Sequence, residues 1–407
     1  MTVWLCNPFD NLPGEDGRIQ RYTLLSEALI QAGHQVVFWS SDFRHLTKAK
    51  RKVPPVYCHN GIHVRQIPTV PYYQNIGLQR LWSHWRLAQD WKRLALTYVA
   101  ETQQKPDVIL CSSPPIPLFK VGHYLAKKFG SKVFLDVQDP WPDCFYRVIP
   151  KCIRKIGTLL VKPFLMPLHL EIRQAYKCAV GVSGLSDAYR TFTKREDFQE
   201  FVLCMRLPAN LDIKMKAHEL RLCYLGNLGS TYYLETVMKG MEQLIKDKKP
   251  VQLTVAGGGP KKELVEKYAA LYPQIRFKGF IDEDGLDHVL RDSDVGLIPV
   301  SAETFALFAG KMIDYTGYGL AVLNGLTGGT ERALSEYGAG VMYQVNDHLS
   351  FVSTVNKMLE NPSWVLQMKH NARKLAEAKF DADKVFPAFV RWIEEKAGSP
   401  LGDVVKC

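Results

Sequence analysis

Arg221-Leu-Cys-Tyr-Leu-Gly-Asn-Leu-Gly-Ser-Thr-Tyr232 decides the fold. Its first half is a short apolar run suited to a strand buried on both faces, and a helical pattern begins near Tyr233. Between them, Gly226 and Gly229 allow a tight turn and close backbone approach, and the helix N-terminus offers unpaired N–H groups to a phosphate. A second run, Gly257-Gly-Gly-Pro260, follows the next strand and opens another helix. Neither has the G-x-G-x-x-G spacing of a dinucleotide fold. Taken singly, each cluster reads more often as a plain strand-to-helix turn; both lie at strand C-terminal ends, where such sheets bind ligands.

The same grammar extends outward. Further strand-like runs are Gln252–Ala256, Arg276–Phe280, Val295–Pro299, Ala321–Leu323 and Val341–Tyr343. Upstream, Val3–Cys6, Val36–Ser40, Val108–Cys111, Val133–Val137 and Ala179–Val182 alternate with helix-period stretches such as Gln20–Ala32, where Tyr22, Leu25, Leu29 and Ile30 share a face. Two doubly wound parallel α/β sheets follow. A length of 407 residues fits two such domains. The turn and polar stretch at Leu207–Glu219 mark the break. The expected domains are 1–210 and 220–380, both Rossmann-like, with an amphipathic segment in 381–407 packing back on the first.

Lys and Arg number 52 against 41 Asp and Glu, a net charge of +11 that favours an anionic partner. The cations gather onto no recognisable nucleic-acid module, so no nucleic-acid partner is expected. Nine cysteines lie singly without metal-ligand spacing, which suggests a reduced, cytosolic chain. Residues 1–10 lack the pattern of a secretory signal, and charges and prolines break the best apolar stretch, Ile153–Leu170, so no transmembrane helix is expected. Two stretches suit an anionic membrane surface. Leu78–Leu96 interleaves Leu81, Trp82, Trp85, Leu87 and Trp91 with Arg80, Arg86, Lys92 and Arg93; Lys151–Lys162 does the same with aliphatic residues. The alternative is a packed helix with solvated cations.

In Phe308-Ala-Gly-Lys-Met-Ile-Asp-Tyr-Thr-Gly-Tyr-Gly-Leu-Ala-Val322, Lys311 and Asp314 stand one helical turn apart, suited to a diphosphate and a ribose respectively, or to a surface ion pair. Asp282-Glu-Asp284 reads as the acidic first turn of a helix rather than a metal site. No cofactor and no metal requirement is expected.

With these motifs the chain resembles the retaining GT-B glycosyltransferases of family 4, especially bacterial polysaccharide and lipopolysaccharide enzymes. Asn7-Pro-Phe-Asp-Asn-Leu-Pro-Gly-Glu-Asp-Gly-Arg18 and Gly33-His-Gln-Val36 look like the family's N-terminal glycine loop and following strand, and Trp39-Ser-Ser-Asp-Phe-Arg-His45 like a subgroup feature. Asp136-Val-Gln-Asp-Pro-Trp-Pro142 is similar to the D-x-R-D-x-W-P segment, with Gln138 in place of arginine. Asp314 matches the second glutamate of the E-x7-E element; Ala306 stands at the first, and Glu303 lies too early to align. The frequent Arg and Lys after the Gly226 loop are replaced by Ser230, Thr231 and Tyr232.

The resemblance implies two Rossmann-like domains facing a cleft, and transfer of a sugar from a UDP-linked donor to a lipid-linked or saccharide acceptor with retention. The donor contacts it implies are Gly17, Arg18, Gly226, Asn227, Gly229, Ser230, Gly258, Asp314 and Tyr315. It places Asp16, Arg21, His45 and Trp141 on the acceptor side, with Asp139 and Lys311 as the catalytic pair. Cations and helix N-termini aimed at the departing diphosphate would stabilise it. For Asp139 a helix N-cap is the competing role. An epimerase or phosphorylase of the same architecture, or a catalytically degenerate partner of an active transferase, are the other readings.

Overall fold

The computed structural model describes residues 1–15, 19–45, 47–75, 77–149, 153–185, 187–215, 219–300 and 308–398. The chain divides into two compact units, one of residues 1–202 and 386–407, the other of residues 203–385.

In the first unit the order is β1 (Thr2–Cys6), α1 (Arg21–Gln31), β2 (Gln35–Ser41), β3 (Phe43–Arg44), β4 (Ala49–Lys50), β5 (Val56–His59), β6 (Ile62–Ile67), α2 (Leu78–Thr102), β7 (Val108–Ser113), α3 (Ile116–Phe129), β8 (Lys132–Val137), α4 (Arg154–Cys178), β9 (Gly181–Gly184), α5 (Arg190–Thr193) and β10 (Gln199–Glu200). Eight strands form one sheet in the order β10-β9-β8-β7-β1-β2-β6-β5, parallel except for the edge strand β5. Val3–Cys6 and Val108–Cys111 are wholly buried, as a sheet covered on both faces demands. The sequence reading missed β6, because Ile62, Val64 and Ile67 are interrupted by His63, Arg65 and Gln66.

In the second unit β11 (Leu220–Leu225), α6 (Leu234–Lys246), β12 (Val251–Ala256), α7 (Lys262–Leu271), β13 (Ile275–Phe277), α8 (Glu283–Arg291), β14 (Val295–Ile298), α9 (Lys311–Gly317), β15 (Ala321–Asn324), α10 (Gly329–Tyr337), β16 (Gly340–Met342), α11 (His348–Glu360) and α12 (Pro362–Lys379) build a six-stranded, all-parallel sheet. Its order is β13-β12-β11-β14-β15-β16, so the chain leaves β11 in both directions and a crevice opens where the order reverses. The Leu207–Asn210 turn, read above as part of the linker, packs inside this unit: Met205 pairs with Asp381, and Arg373 donates to Pro208 O at 3.1 Å.

α13 (Ala382–Gly398) closes the chain, and its residues from Phe386 belong to the first unit. There Phe389 stacks on Phe201 with ring centroids 3.8 Å apart, and Trp392 packs edge-on to Phe134. Burying each such aromatic contributes about 1.5–3 kcal/mol. Cys6, Cys58, Cys111, Cys204 and Cys223 are free thiols, whereas Cys178 is disulfide-bonded. That departs from the all-reduced expectation, since approach in space rather than sequence spacing sets pairing.

Candidate functional site

At the crevice of the second sheet, the turn after β11 and the turn after β12 are built into one another. Gly226 N–H donates to Ala256 O, Leu228 N–H to Gly258 O and Lys261 N–H to Leu228 O, each at 2.9 Å. A Cβ on Gly257 would stand 1.8 Å from Gly226 O, and one on Gly259 would stand 2.8 Å from the Leu228 carbonyl carbon. Both have φ near +140°, a region that only glycine enters readily. Gly258, singled out from the sequence, has open space about its Cβ position and contributes its carbonyl alone. The glycines needed for close approach are therefore its two neighbours.

This platform leaves the backbone N–H groups of Gly229, Ser230 and Thr231, just ahead of α6, without an acceptor among the described residues. Such groups at a helix N-terminus suit an anion. Lys311, on α9 beyond β14, reaches the same place: a Cβ on Gly226 would lie 3.2 Å from its Nζ. The ammonium sits over the ring of Tyr232 at 4.1 Å and that of Tyr224 at 5.0 Å. Among the described residues it makes no hydrogen bond or ion pair. Burial lowers its pKa to about 8, against the opposing pull of the Asp314 carboxylate. A phosphate arriving there would draw the pKa back up towards its ordinary value. Sequence reasoning missed both tyrosines, whose cation–π role depends on where Lys311 returns in space.

Two further sequence-predicted donor residues separate. Asp314 lies half-buried, one turn beyond Lys311. Tyr315 points the other way and is fully buried, its hydroxyl accepting from Leu225 N–H and donating to Leu297 O, both at 3.2 Å. It ties β11 to β14 and is corrected from a donor contact to a structural strut. Asn227 and Ser230 are exposed beside the platform. Gly17, Arg18 and Asp16 lie outside the described residues, as do Glu303, Ala306 and Lys151. Asp282 caps α8 by accepting from Gly285 N–H at 2.9 Å, in line with the helix-start reading.

In the first unit Arg21 is also corrected. Its guanidinium is buried in an ion pair with Asp136 and donates to Phe201 O at 2.6 Å. Asp136 accepts in addition from Tyr22 Oη at 3.0 Å and Ser183 Oγ at 2.9 Å. The first aspartate of the Asp136–Pro142 motif is thus the hub joining α1, β8 and β9, and Arg21 serves it rather than an acceptor. Asp139 is exposed past the end of β8, and the following 3-10 turn is capped at Pro142, so Asp139 is not its N-cap. Trp141 is buried, with the Arg80 guanidinium 4.7 Å from its ring and His84 packed at 5.3 Å. His45 bonds to Tyr72 Oη through Nδ1 at 2.7 Å. Burial, then Arg80 and Lys48, lowers its pKa to about 4. His45 and Trp141 are therefore brought into one cluster.

Residues 212–375 match the family model for glycosyl transferases group 1. No curated protein sequence matches the chain. Among solved structures, the sucrose-phosphate synthase of Thermosynechococcus elongatus is 17% identical, with a TM-score of 0.72 over 97% of this chain and 98% of that one. The Anabaena HepE protein in complex with UDP and glucose is 12% identical, with a TM-score of 0.64 over 96% and 99%. WaaG, a glycosyltransferase involved in lipopolysaccharide biosynthesis, is 12% identical, with a TM-score of 0.60 over 96% and 99%. The fold is the α/β GT-B architecture with Rossmann-like parallel-sheet domains, and the matched domain supports a glycosyltransferase.

Proposed function

We propose that the chain transfers a sugar from a UDP-linked donor to a lipid-linked or saccharide acceptor in cell-surface polysaccharide or glycan synthesis, retaining the anomeric configuration. The observation that carries the donor half is Lys311, half-buried over Tyr232 and against Gly226 where the sheet order reverses. Its ammonium and the N–H groups of Gly229, Ser230 and Thr231 take the charge that develops on the departing diphosphate. Asp314 holds the ribose. Asp139, exposed at the end of β8, polarises the attacking hydroxyl. No cofactor or metal enters this scheme. Support from likeness comes from HepE, whose complex holds UDP and glucose.

The acceptor half works on the cytoplasmic face of an anionic membrane. Ile156, Leu159, Leu160, Phe164 and Leu170 of α4 are 58–83% exposed, and exposed Lys155 and Lys162 lie among them. On α2, Trp82 and Trp85 are half exposed, whereas Leu87 and Trp91 are core and Arg80 is buried, so only part of that stretch is available. Among the described residues no helix is long and apolar enough to cross a membrane; an apolar face with cations suits the interface.

Thermal stabilisation by a panel of nucleoside diphosphates and their sugar conjugates, repeated for Asp314→Ala, tests the donor site. A selective shift with UDP species that the variant loses is expected. A shift with no nucleotide would sink the transferase reading in favour of a degenerate partner.

A further inference from the structure

Asp314 stands one turn beyond Lys311 on α9, the spacing of an ordinary helical ion pair, yet among the described residues the Lys311 ammonium pairs with no carboxylate. It lies instead in a corner made by two aromatic rings, 4.1 Å from the Tyr232 centroid and 5.0 Å from that of Tyr224. The rings meet edge-on, with centroids 5.8 Å apart and planes inclined at 68°. Gly226 forms the third side: a Cβ there would stand 3.1 Å from Lys311 Cε and 3.2 Å from Nζ.

Both rings are fixed by the turn after β11. Tyr224 is fully buried, and its hydroxyl donates to Asn227 O inside the turn. Tyr232 is half-buried and pinned through its backbone: its N–H donates to Gly229 O at 3.2 Å, its carbonyl accepts from Lys261 Nζ at 2.7 Å, and it bridges to Val300 beyond β14. Its hydroxyl makes no hydrogen bond among the described residues, so the part of Tyr232 that is engaged is the ring. Residues 229–232 bring no charge of their own, and Lys261 is held by Glu235 at 2.7 Å.

A lysine on a flexible stem is a weak phosphate ligand unless it is held, because ordering it costs rotamer freedom and burial opposes its charge. A carboxylate would hold the ammonium by neutralising it and would then compete with an incoming anion. The electron-rich face of a ring attracts the cation and leaves its charge unspent, most strongly where water is scarce.

We infer that Tyr232 is a positioning residue for Lys311: its ring face, backed by Tyr224, holds the ammonium against Gly226 without neutralising it, ready for the diphosphate of the donor. This role rests on the proposed donor site and deepens it. It belongs to the ring and not to the hydroxyl, and it needs no contact between Tyr232 and the nucleotide.

The test is calorimetric titration of UDP into the full-length chain carrying Tyr232→Phe, Tyr232→Leu, or phenylalanine with one, two or three ring fluorines at position 232, each repeated with Lys311→Met. Fluorine draws electron density from the ring face and barely alters its shape, so packing stays while the attraction for the cation fades stepwise. Tyr232→Phe is expected to bind UDP within about twofold of the unsubstituted chain and Tyr232→Leu about tenfold more weakly, with affinity falling at each added fluorine. With Lys311→Met in place, all of them bind alike. Equal affinity along the fluorine series overturns the role, as does a loss of the same size without the lysine, which would mark a direct or merely structural contact. Melting temperatures check the fold, and if Tyr232→Leu does not fold, the fluorine series decides. Absence of UDP binding by the unsubstituted chain is the failure of the donor reading itself; binding that ignores the ring is the failure of the positioning role alone.

Discussion

Replacing Lys311 by methionine keeps the shape of the side chain and removes its charge. Burial lowers the ammonium from its ordinary 10.5 to about 8, a difference that sets an upper bound of about 3 kcal/mol on the cost of keeping it charged. Solvent reaching a half-buried site screens part of this, leaving about 1–2 kcal/mol. Lys311→Met therefore raises the melting temperature by roughly 2–8 °C at pH 7 for a domain of this size. Below about pH 8 the folded and unfolded states both carry the proton and the whole cost is present. As pH rises from about 8 towards 10.5, the folded state releases the proton while the unfolded state keeps it, so the unsubstituted protein gains stability and the difference narrows. UDP affinity moves oppositely: loss of a charged hydrogen bond, about 1.5–3 kcal/mol, weakens binding about 10- to 150-fold at pH 7, and the ratio shrinks above pH 8. Scanning calorimetry across pH with UDP titrations reads both. An unchanged or lower melting temperature together with unchanged UDP affinity would refute the placement of this cation.

Three other outcomes follow from the same geometry. Gly257→Ala drives a Cβ into Gly226 O from a positive φ and is expected to cost about 3 kcal/mol or more and abolish UDP binding, while Gly258→Ala stays within about 0.5 kcal/mol by urea unfolding. Arg21→Met strands the buried Asp136 carboxylate and costs about 3–5 kcal/mol, part of which the double variant Arg21→Met/Asp136→Asn recovers; full activity with unchanged stability in the single variant would contradict a structural role. Leu159→Glu with Leu160→Glu, both in exposed positions, leaves melting unchanged but reduces sedimentation with anionic vesicles at least tenfold.

The strands and their order of appearance were legible because parallel strands buried on both faces read as apolar runs, and Val3–Cys6 and Gln252–Ala256 show this directly. Strand β6 was not, because its outward residues His63 and Arg65 break the run. That Lys311 and Asp314 stand one turn apart on a helix was legible from their spacing in a stretch bounded by glycines. Tyr315 misled, since adjacency to Asp314 in sequence puts it on another side of the helix, facing β14. Arg21 misled for a related reason: a cation next to a glycine loop looks available until the carboxylate of Asp136, distant in the chain, is found beneath it. Tyr224 and Tyr232 carried no sequence signal, because an aromatic residue beside a strand is ordinarily core.

The interlocked turns after β11 and β12 bear on how this protein can be re-engineered. Because Leu228 is gripped from both sides by the second turn, the loop proposed above to face the donor is not a detachable cassette. A donor-specificity graft that exchanges residues 226–232 alone would import a turn without the partner cut to receive it. The transferable module runs from β11 through the start of α7, and variation that alters the donor should be sought at exposed rims such as Asn227 and Ser230, where a side chain can change without disturbing the joint.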